Sequence, residues 1–507
     1  MRTAHRVETV RAAEAALMAQ LPEGALMQRA AAGLAAACAG FLRRVYGARV
    51  VLLVGSGDNG GDALYAGARL ARRGAGVSAV LLGPRAHEGG LAALRGAGGR
   101  VADDPYAVLE RADLVVDGIT GIGGRGGLRP EAVPVVRAAR ASGAVLVAVD
   151  LPSGVDADTG EVAGEAVRAD ATVTFGAWKP GLLIDPARSC AGAVRLVGIG
   201  LSLPEVPDLE ALQHADVARL LPEPAGESDK YRRGVVGVVA GSRRYPGAAV
   251  LAVSGALRGG AGAVRYVGPA GDAVLARHPE TLVHDGPPAK AGRVQAWVIG
   301  PGLGDTPGVE DVLASDVPVL VDADGLRQLD PPAVRSRPAP TVLTPHAGEA
   351  AALLGVAREE VESRRLDAVR ELAARYGATV LLKGSTTLVA APDGPVRVNP
   401  TGTAWLATAG SGDVLSGLAG SLLAAGLTPR DAASVAAYLH RLAARRAARG
   451  APIAAHDVAS ELPGAWRDVT TPTRSDAKGR RRAAGWPCGR VARPGGPAGS
   501  PPGAWGE

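Results

Sequence analysis

Two series of strand-like apolar runs, each alternating with helix-like segments, constrain the fold of this chain more than any other feature. The first series contains the runs ARVVLLV, GVSAVLL, ADLVVDG, AVLVAVDLP and ADATVTFG. Such continuous Val, Leu and Ala runs are typical of strands buried on both faces, and the segments between them have helical spacing. The second series contains GVVGVVAGS, AWVIGPGLG, PVLVDADGL, PTVLTPH and ATVLLKGS. The chain should therefore hold two α/β domains, the first doubly wound and Rossmann-like.

The predicted domain limits follow from changes of composition along the 507 residues. We place the first domain at residues 1–208 and the second at residues 229–466. The stretch 209–228 between them is rich in Pro and acidic residues and is predicted to be a linker with one short helix. Residues 467–507 are rich in Arg, Gly, Pro and Ser without any periodicity, so they are predicted to be a disordered tail.

Composition limits the partners and the location of the protein. The net charge is +6, but much of the positive charge lies in the last forty residues, so we predict no nucleic-acid partner. Cys38, Cys190 and Cys488 lie far apart in the sequence, which argues against a disulfide framework or a structural zinc and favours a reducing, cytoplasmic location. The N-terminus is amphipathic and charged rather than a signal peptide, and the longest apolar stretch is too short to span a bilayer. We therefore expect no membrane association.

The tetrapeptide GSGD occurs twice, and its first copy lies between a predicted strand and a predicted helix. The pattern G-x-G-x-x-G starts here at Gly55, but the next strand ends in LLGPRAHE, without the carboxylate that a dinucleotide fingerprint requires. A Walker loop is excluded as well, because no GK[ST] follows. The turn instead offers backbone N–H groups to an anion, and it carries side-chain oxygens at Asp58, Asn59 and Asp62.

Two further strand ends supply oxygen atoms to the same predicted crevice. The segment VVDGITGIGGRGG offers Asp117, and VAVDLPSGVDADTG offers Asp150 and Ser153. Ligands of such folds bind beyond the carboxyl ends of the strands, where these segments should meet. For Asp117 and Asp150, together with the Asn of GSGDNGG, a functional role is the better interpretation. For Asp156 and Asp158 we favour simple turn formation.

Six segments of the first domain carry a family resemblance. In chain order, VETVRAAEAAL, ALMQRAAAGLA, GSGDNGGDA, VVDGITGIG, VDLPSGVDADTG and ADATVTFGAWKPGLL resemble the NAD(P)H-hydrate epimerase domain over nearly all of the first two hundred residues. In that family a small hydroxyl residue usually stands at the position of Ile122, and a larger apolar residue at that of Gly118.

The resemblance implies two sets of contacts in this domain. It implies that Asn59, Asp117 and Ser153 coordinate a potassium ion, for which an all-oxygen site is suited. It also implies that the hydrated nicotinamide dinucleotide is bound by Asp58, Asn59, Gly60, Gly61, Asp62, Gly121, Ile122, Gly123, Gly124, Arg125, Gly126, Gly127 and Asp150.

The second GSGD follows NPTGTAWLATA and leads into an apolar helix. Glycines before a helix free N–H groups for a phosphate, and Asp413 should lie in the first helical turn. A carboxylate beside an anion site suits a base that takes a proton from a hydroxyl attacking a phosphoryl group, and an ordinary N-cap carboxylate is the alternative. Lys383, one of only five lysines, favours the base because it ends a strand together with Ser385, Thr386 and Thr387.

A second resemblance covers residues 216–466. The motifs GVVAGSRRYPGAA, GGAGAV, GPGLG, VDADG, TPHAGE, KGSTT and ATAGSGDVLSG resemble the NAD(P)H-hydrate dehydratase, a relative of the ribokinase-like kinases, so a ribokinase-like fold is implied. The resemblance implies that the hydrated dinucleotide is bound by Ala261, Gly302, His346 and Asp413. It implies that the adenine nucleotide is bound by Lys383, Gly384, Ser385, Thr386, Thr387 and Gly412.

Together these features predict a bifunctional repair enzyme for the hydrates of NADH and NADPH. The first domain would interconvert the R and S hydrates. The second would dehydrate the S form with ADP or ATP and Mg²⁺, giving AMP or ADP and phosphate. The candidate catalytic residues are Asp413, as the base, and Asp117. The expected partners are these small molecules, in a homo-oligomer; the alternative function is a vitamin or sugar kinase fused to a Rossmann-like regulatory or scaffold domain.

Overall fold

The structure, a computed structural model, describes residues 1–304 and 308–471. The part of the predicted tail from residue 472 onward lies outside the described residues, as does Cys488. Within the described ranges, Cys38 and Cys190 are both free and buried. In the same ranges, none of the helices combines the length and the apolar character needed to cross a membrane.

The first part of the chain forms a parallel sheet covered by helices, as its uninterrupted apolar runs predict. Its strands are β1 (Arg2–Ala4), β2 (Arg49–Val54), β3 (Gly76–Leu81), β4 (Arg100–Val101), β5 (Leu114–Gly118), β6 (Val145–Val149), β7 (Ala171–Phe175) and β8 (Ala193–Val197). Its helices are α1 (Val7–Met18), α2 (Ala25–Phe41), α3 (Asp58–Ala71), α4 (Glu88–Gly96), α5 (Pro105–Glu110) and α6 (Val133–Ala141). Strands β2 to β8 form the first sheet in the order β4-β3-β2-β5-β6-β7-β8, all parallel. We call this part the first domain.

Both faces of the first sheet are buried. Successive residues of a strand point to opposite faces, so Leu52 of β2 packs in the core beneath α2 and α3, whereas Leu53 packs in the core beneath α5 and α6. A strand buried on both sides needs apolar residues at every position. This explains why the sequence shows continuous apolar runs here rather than an alternating pattern.

The second part of the chain forms a larger mixed sheet. Its strands are β9 (Leu209–Ala211), β10 (Val235–Val239), β11 (Ala263–Val267), β12 (Leu282–His284), β13 (Ala296–Ile299), β14 (Val319–Val321), β15 (Thr341–Leu343), β16 (Thr379–Leu382), β17 (Thr387–Ala390) and β18 (Val396–Asn399). Its helices are α7 (His214–Leu220), α8 (Pro246–Arg258), α9 (Gly271–Arg277), α10 (Val309–Leu313), α11 (Pro331–Arg335), α12 (Ala347–Leu354), α13 (Arg358–Ser363), α14 (Arg365–Tyr376), α15 (Ser411–Ala424), α16 (Pro429–Ala448) and α17 (Ala455–Thr470). We call this part the second domain.

The second sheet has the strand order β1-β9-β18-β17-β16-β15-β14-β13-β10-β11-β12. Strands β10 to β16 are all parallel to one another, and β17 pairs antiparallel with both β16 and β18. Helices α7, α8, α15, α16 and α17 cover one face, and helices α10 to α14 cover the other. The two α/β sheets predicted from the sequence are confirmed.

The border between the domains differs in detail from the predicted limits. Strand β1, which the sequence assigned to the first domain, pairs antiparallel with β9 at the edge of the second sheet. Both β9 and α7 lie in the stretch 209–228, so the predicted linker supplies a strand and a helix to the second domain. Helix α17 also continues to Thr470, past the predicted limit at residue 466. The sequences of β1 and β9, RTA and LEA, contain no continuous apolar run, which is why these strands were not predicted.

Candidate active sites

A buried pair of side chains lies at the carboxyl ends of β5 and β6. Ser153 donates a hydrogen bond from its hydroxyl to Asp117 Oδ1 (2.6 Å) and another from its N–H to Asp117 Oδ2 (2.8 Å). The N–H of Thr120 donates to Ser153 Oγ (2.9 Å). Both members of the pair are completely buried, and this burial raises the pKa of Asp117 to about 6 against the opposing effect of the Ser153 hydrogen bonds. The pair therefore fixes the loop that follows β5.

Asn59 approaches this loop from the first turn of α3. Its Nδ2 donates to the carbonyl oxygen of Val149 (2.6 Å), so the amide is oriented by the end of β6. A Cβ atom on Gly121 would lie 2.2 Å from Asn59 Oδ1, so a larger residue there would displace the Asn59 amide. A Cβ atom on Gly118 would similarly lie 2.9 Å from the carbonyl oxygen of Asn59. The structure thus brings Asn59, Asp117 and Ser153, the three predicted potassium ligands, to one crevice.

The oxygen atoms of this crevice suit a monovalent cation. They comprise one carboxylate, from Asp117, and neutral oxygens from Asn59, Ser153 and the Thr120 carbonyl, which lies 3.2 Å from Ser153 Oγ. Among the described residues, no group of three or more acidic, His or Cys side chains is placed to hold a metal. Hard cations prefer oxygen ligands, and a single negative charge matches a single positive charge. The residues present therefore fit the potassium ion that the resemblance implies.

Beside the crevice, Asp150 forms an ion pair with a lysine that the sequence analysis did not select. Lys179 Nζ donates to Asp150 Oδ1 at 2.5 Å, and the two side chains are only 1% and 8% exposed. Lys179 also donates to Thr174 Oγ1 and to the Phe175 carbonyl. Asp150 has a φ of 65°, which is uncommon for a residue other than glycine and indicates a conformation held by its surroundings. The rarity of lysine in this chain, which drew attention to Lys383, applies equally to Lys179.

Two more carboxyl groups lie close to this ion pair. Asp62, on α3, is nearly buried, and its Oδ1 has no hydrogen-bond partner among the described residues. Burial raises the pKa of Asp62 well above its usual value, and nearby Asp150 and Asp58 raise it further. Burial also raises the pKa of Glu14, on α1, although Lys179 opposes this shift. Buried carboxyl groups beside an ammonium group can hold and exchange protons near neutral pH.

The predicted dinucleotide loop, residues 121–127, extends from the crevice towards solvent. Arg125 is exposed, and Gly126 and Gly127 have positive φ angles of 79° and 88°, which glycine adopts without strain. Ile122 is half-buried against a small apolar cluster that includes Leu151. The apolar residue at position 122 therefore has a packing role in this chain.

At the carboxyl edge of the second sheet, Lys383 is surrounded by carboxylates. Its Nζ donates to Asp322 Oδ1 (2.7 Å) and lies 3.7 Å from Glu349 Oε2. The hydroxyl of Ser416 donates to the other oxygen of Asp322 (2.6 Å). Burial lowers the pKa of Lys383, but Asp322 and Glu349 outweigh burial and keep it above the ordinary value. The sequence marked VDADG and TPHAGE only as polar strand ends, so the roles of these two acids were missed.

Asp413 lies in the first turn of α15, next to this cluster. Burial raises the pKa of Asp413 to about 7, with a further increase from Asp322 and an opposing effect of Lys383. The N-cap of α15 is Gly410, with a φ of 82°, and no side chain caps the helix. The alternative role of Asp413 as an ordinary N-cap therefore does not fit. A carboxyl group that titrates near neutral pH fits a general base.

Two buried arginines fix the loop 383–387, which carries the predicted nucleotide contacts. Their guanidinium groups donate to backbone carbonyl oxygens of the loop, Arg365 to Lys383 (3.1 Å) and Thr386 (2.9 Å), and Arg441 to Gly384 (2.7 Å) and Ser385. Arg441 also donates to Thr387 Oγ1 (3.2 Å). Because these bonds lie within the protein, the loop is formed before any ligand binds.

A cavity of about 430 Å³, which we call the first cavity, lies between this loop and the start of α15. Its lining includes Lys383, Gly384, Ser385, Thr387, Leu406, Ser411, Gly412, Leu415 and His440. The volume is in the range of small-molecule sites, and apolar walls with a few polar groups are typical of them. Thr386 does not line this cavity, because its buried hydroxyl accepts a hydrogen bond from the N–H of Asp185 (3.2 Å).

His346 and Gly302 lie at the same edge of the sheet as Asp413. His346 is the N-cap of α12; its Nδ1 accepts a hydrogen bond from the N–H of Glu349 (3.1 Å), and its side chain is 59% exposed. Gly302 has a φ of 63° and packs against Ala248, whose Cβ would lie 2.5 Å from a Cβ at position 302. The His346 ring is therefore accessible to a ligand, whereas Gly302 allows a close approach of its backbone to α8.

The structure separates Ala261 from the other predicted dinucleotide contacts. Ala261 precedes β11 at the amino edge of the sheet, where the N–H of Gly262 donates to the Gly234 carbonyl (2.8 Å). The same edge holds the far end of α15, since a Cβ on Gly234 would lie 2.3 Å from the Ala424 carbonyl oxygen. Ala424 follows Asp413 by eleven positions along the same helix, a distance of about 16 Å. The alanine that lies beside Gly302 is Ala248, in the segment RRYPGAAV, and not Ala261, in the segment GGAGAV.

Comparisons with known proteins bear on both domains. Residues 23–181 match the family model of the YjeF-related protein N-terminus, and residues 236–463 match that of the NAD(P)H-hydrate dehydratase. These matches agree with the Rossmann-like and ribokinase-like folds predicted for the two domains.

Several curated proteins are similar over most of the chain. The bifunctional NAD(P)H-hydrate repair enzyme of Mycobacterium leprae (strain TN) is 52% identical over 455 residues, which cover 88% of this chain and 94% of that protein. The enzyme of the same name from Escherichia coli (strain K12) is 35% identical over 416 residues, which cover 78% of this chain and 80% of that protein. Among solved structures, an ADP/ATP-dependent NAD(P)H-hydrate dehydratase from Bacillus subtilis, co-crystallised with ATP/Mg²⁺, is 32% identical. The matched part covers 51% of this chain and 97% of the Bacillus subtilis chain, with a TM-score of 0.47.

Proposed function

The chain belongs to the family of bifunctional NAD(P)H-hydrate repair enzymes, and from this premise we propose that it restores hydrated NADH and NADPH. Its first domain interconverts the R and S hydrates, and its second domain dehydrates the S form at the expense of ADP or ATP. Membership of this family favours repair over the alternative of a vitamin or sugar kinase with a regulatory domain. The observation that carries the proposal is Asp413 in the first turn of α15, beside the Lys383 ion pair and the first cavity.

The second domain activates the hydroxyl of the hydrate by phosphorylating it. Asp413 takes the hydroxyl proton as that oxygen attacks the terminal phosphoryl group of the nucleotide. The ring nitrogen then donates its electron pair, the carbon–oxygen bond breaks, and phosphate leaves; loss of a proton from the adjacent carbon restores the double bond. Phosphate is a good leaving group near neutral pH, whereas hydroxide is a poor one. Lys383 and the free N–H groups of α15 stabilise the charge on the transferred group.

The first cavity is the proposed nucleotide site. Its apolar residues Leu406 and Leu415 suit the adenine base, and Gly412 at the start of α15 suits the phosphates. Mg²⁺, when bound, supplies positive charge to the phosphate oxygens. Mg²⁺ in such sites is held largely by phosphates and water rather than by a cage of protein side chains.

We expect kcat/KM for dehydration to rise with pH and to level off above about 7. The reason is that Asp413, whose pKa is raised to about 7 by burial, must be deprotonated to accept a proton, and it is protonated at lower pH. The check is kcat/KM for the S hydrate of NADH at saturating ADP, measured from about pH 5 to about pH 9. A rate that is independent of pH over this range would contradict the role of Asp413 as the base.

The proposed epimerisation centre lies between Lys179, Asp150 and Asp62. Inverting the hydrated carbon requires that a bond to it breaks and forms again while a proton moves to or from the hydroxyl oxygen. The buried carboxyl of Asp62 and the Lys179–Asp150 pair can hold such a proton. Asp117, the catalytic candidate from the sequence, has both oxygens hydrogen-bonded to Ser153 and no exposed surface. We therefore propose that it binds the cation and positions the loop.

We expect epimerisation to require potassium, and Ser153→Ala to raise the potassium concentration for half-maximal rate by about tenfold, which corresponds to the loss of about 1.4 kcal/mol of binding. The substitution removes one neutral ligand and leaves the Asp117 carboxylate in place. The check is the rate of R-to-S conversion as a function of potassium chloride at constant ionic strength, with the potassium-dependent rise of the melting temperature as a second readout. Equal wild-type rates with and without potassium would contradict the cation site.

The whole proposal is tested with a mixture of R and S hydrates of NADH. With ADP and potassium, the protein should restore the absorbance of reduced nicotinamide for both epimers and release inorganic phosphate. Without ADP, the epimers should interconvert with no recovery of absorbance. Formation of a stable phosphorylated small molecule, with no restored NADH, would instead support the kinase alternative.

A further inference from the structure

A second cavity, of about 680 Å³, lies on the other side of the loop 383–387 from the first cavity. The two cavities share Lys383, Gly384 and Ser385, and their other lining residues differ. One wall of the second cavity comes from the second domain and contains His346, Ala347, Arg358, Glu362 and Arg365. The opposite wall comes from the first domain and contains Asp185, Pro186 and Ser189. This cavity is therefore built by both domains together.

The wall from the first domain is fixed to the second domain. Leu183 and Ile184 are buried and belong to the apolar core beneath helices α10 to α14 of the second domain. The next residue, Asp185, donates its N–H to Thr386 Oγ1 (3.2 Å) within the nucleotide loop. Strand β1, at the start of the chain, also pairs with β9 of the second sheet. Because buried apolar side chains hold the segment, Asp185 and Ser189 keep their places at the cavity.

The size and charges of the second cavity suit part of a dinucleotide. Its volume lies within the usual range of small-molecule sites. Its lining carries three cationic side chains, Arg358, Arg365 and Lys383, and two carboxylates, Asp185 and Glu362, so the excess of positive charge favours phosphates. The exposed ring of His346, which the resemblance implies to be a dinucleotide contact, borders this cavity rather than the first one. The two cavities could thus hold two substrates that meet at Lys383.

We infer that the first domain completes the dinucleotide site of the second domain, with Asp185, Pro186 and Ser189 forming a wall against which the S hydrate binds during dehydration. This inference rests on the proposed function, because dehydration supplies the ligand. The three residues lie beyond the reacting groups, so they position the hydrate and decide how tightly it binds. A dehydratase domain without its partner domain would lack this wall.

The test is Ser189→Trp. Ser189 is exposed, and its hydroxyl donates to the Pro186 carbonyl (2.7 Å), so an indole ring at this position would occupy the cavity without entering a core. We expect the KM for the S hydrate of NADH to rise by about tenfold or more, whereas kcat at saturating hydrate and the KM for ADP change less than about twofold. A merely structural defect would move all three parameters. Should the tryptophan variant fail to fold, Ser189→Leu gives a smaller obstruction and a smaller change of the same KM.

The matched control is Ser202→Trp, at another exposed serine of the same domain that lies outside this cavity. We expect its kinetic parameters to equal those of the wild type. Wild-type turnover of the S hydrate with ADP, measured first, tests the proposed function by itself, and its absence would overturn that proposal. If the wild type is active and Ser189→Trp binds the hydrate with an unchanged KM, the inference about the wall is overturned and the proposed function stands.

Discussion

Replacing Asp413 with Asn should lower kcat for dehydration by about 10²- to 10⁴-fold and leave epimerisation at the wild-type rate. An amide has the shape of the carboxylate but cannot accept the hydroxyl proton. The neighbouring pair of Lys383 and Asp322, 2.7 Å apart, remains in place, so the site keeps its structure. The measurement is the ADP-dependent recovery of absorbance from the S hydrate of NADH, with R-to-S conversion followed in the same sample.

Another helix of the chain provides a control for the loss of a carboxylate from the first helical turn. Asp457 occupies the same position in the first turn of α17 that Asp413 occupies in α15, and it accepts a hydrogen bond from the N–H of Ala454 (2.9 Å). Asp457→Asn should cost some stability of α17 and leave dehydration unchanged. Binding of ADP to Asp413→Asn, measured by calorimetry, should be within a few-fold of the wild type. Near-normal kcat in Asp413→Asn would reject the assignment of the base.

The sequence predicted those parts of the fold that are determined by local patterns. Each central strand is a continuous apolar run, and such runs are required wherever both faces of a sheet are covered, so β2, β5, β6, β10 and β13 were found correctly. Strands β9 and β18, near one end of the second sheet, have only three and four residues and lie far from each other in the sequence. Their existence depends on pairing with distant segments, which a local pattern does not reveal.

The same distinction applies to the candidate sites. Asn59 and Asp413 stand beside glycine-rich turns, and such turns have a local signature. Lys179 was missed because its partner, Asp150, lies 29 residues earlier in the chain, and only the fold brings the two together. Asp322 lies 61 residues before Lys383 and was missed for the same reason. The sequence motifs therefore identify the glycine-rich turns, and the structure is needed to identify the pairs of buried charges.

Replacing Lys179 with Met should abolish epimerisation and destabilise the first domain by about 3–5 kcal/mol. Methionine fills most of the space of the lysine stem, but it leaves the Asp150 carboxylate buried without its cation. The nearby carboxyl groups of Asp62 and Glu14, whose pKa values are raised, supply no positive charge that could replace the ammonium group. The measurements are R-to-S conversion of the hydrate and urea unfolding followed by circular dichroism. Lys290→Met, at an exposed lysine of the second domain, is the control and should match the wild type in both.

The double variant Lys179→Met/Asp150→Asn separates the electrostatic cause from a simple packing defect. Removing the unpaired carboxylate should recover a large part of the lost stability, because a neutral amide costs far less to bury than an uncompensated charge. Epimerisation should stay absent, since neither the cation nor the carboxylate is restored. If the double variant unfolds at the same urea concentration as Lys179→Met, the loss is due to packing. If Lys179→Met still interconverts the epimers at the wild-type rate, the ion pair is not part of the epimerisation centre.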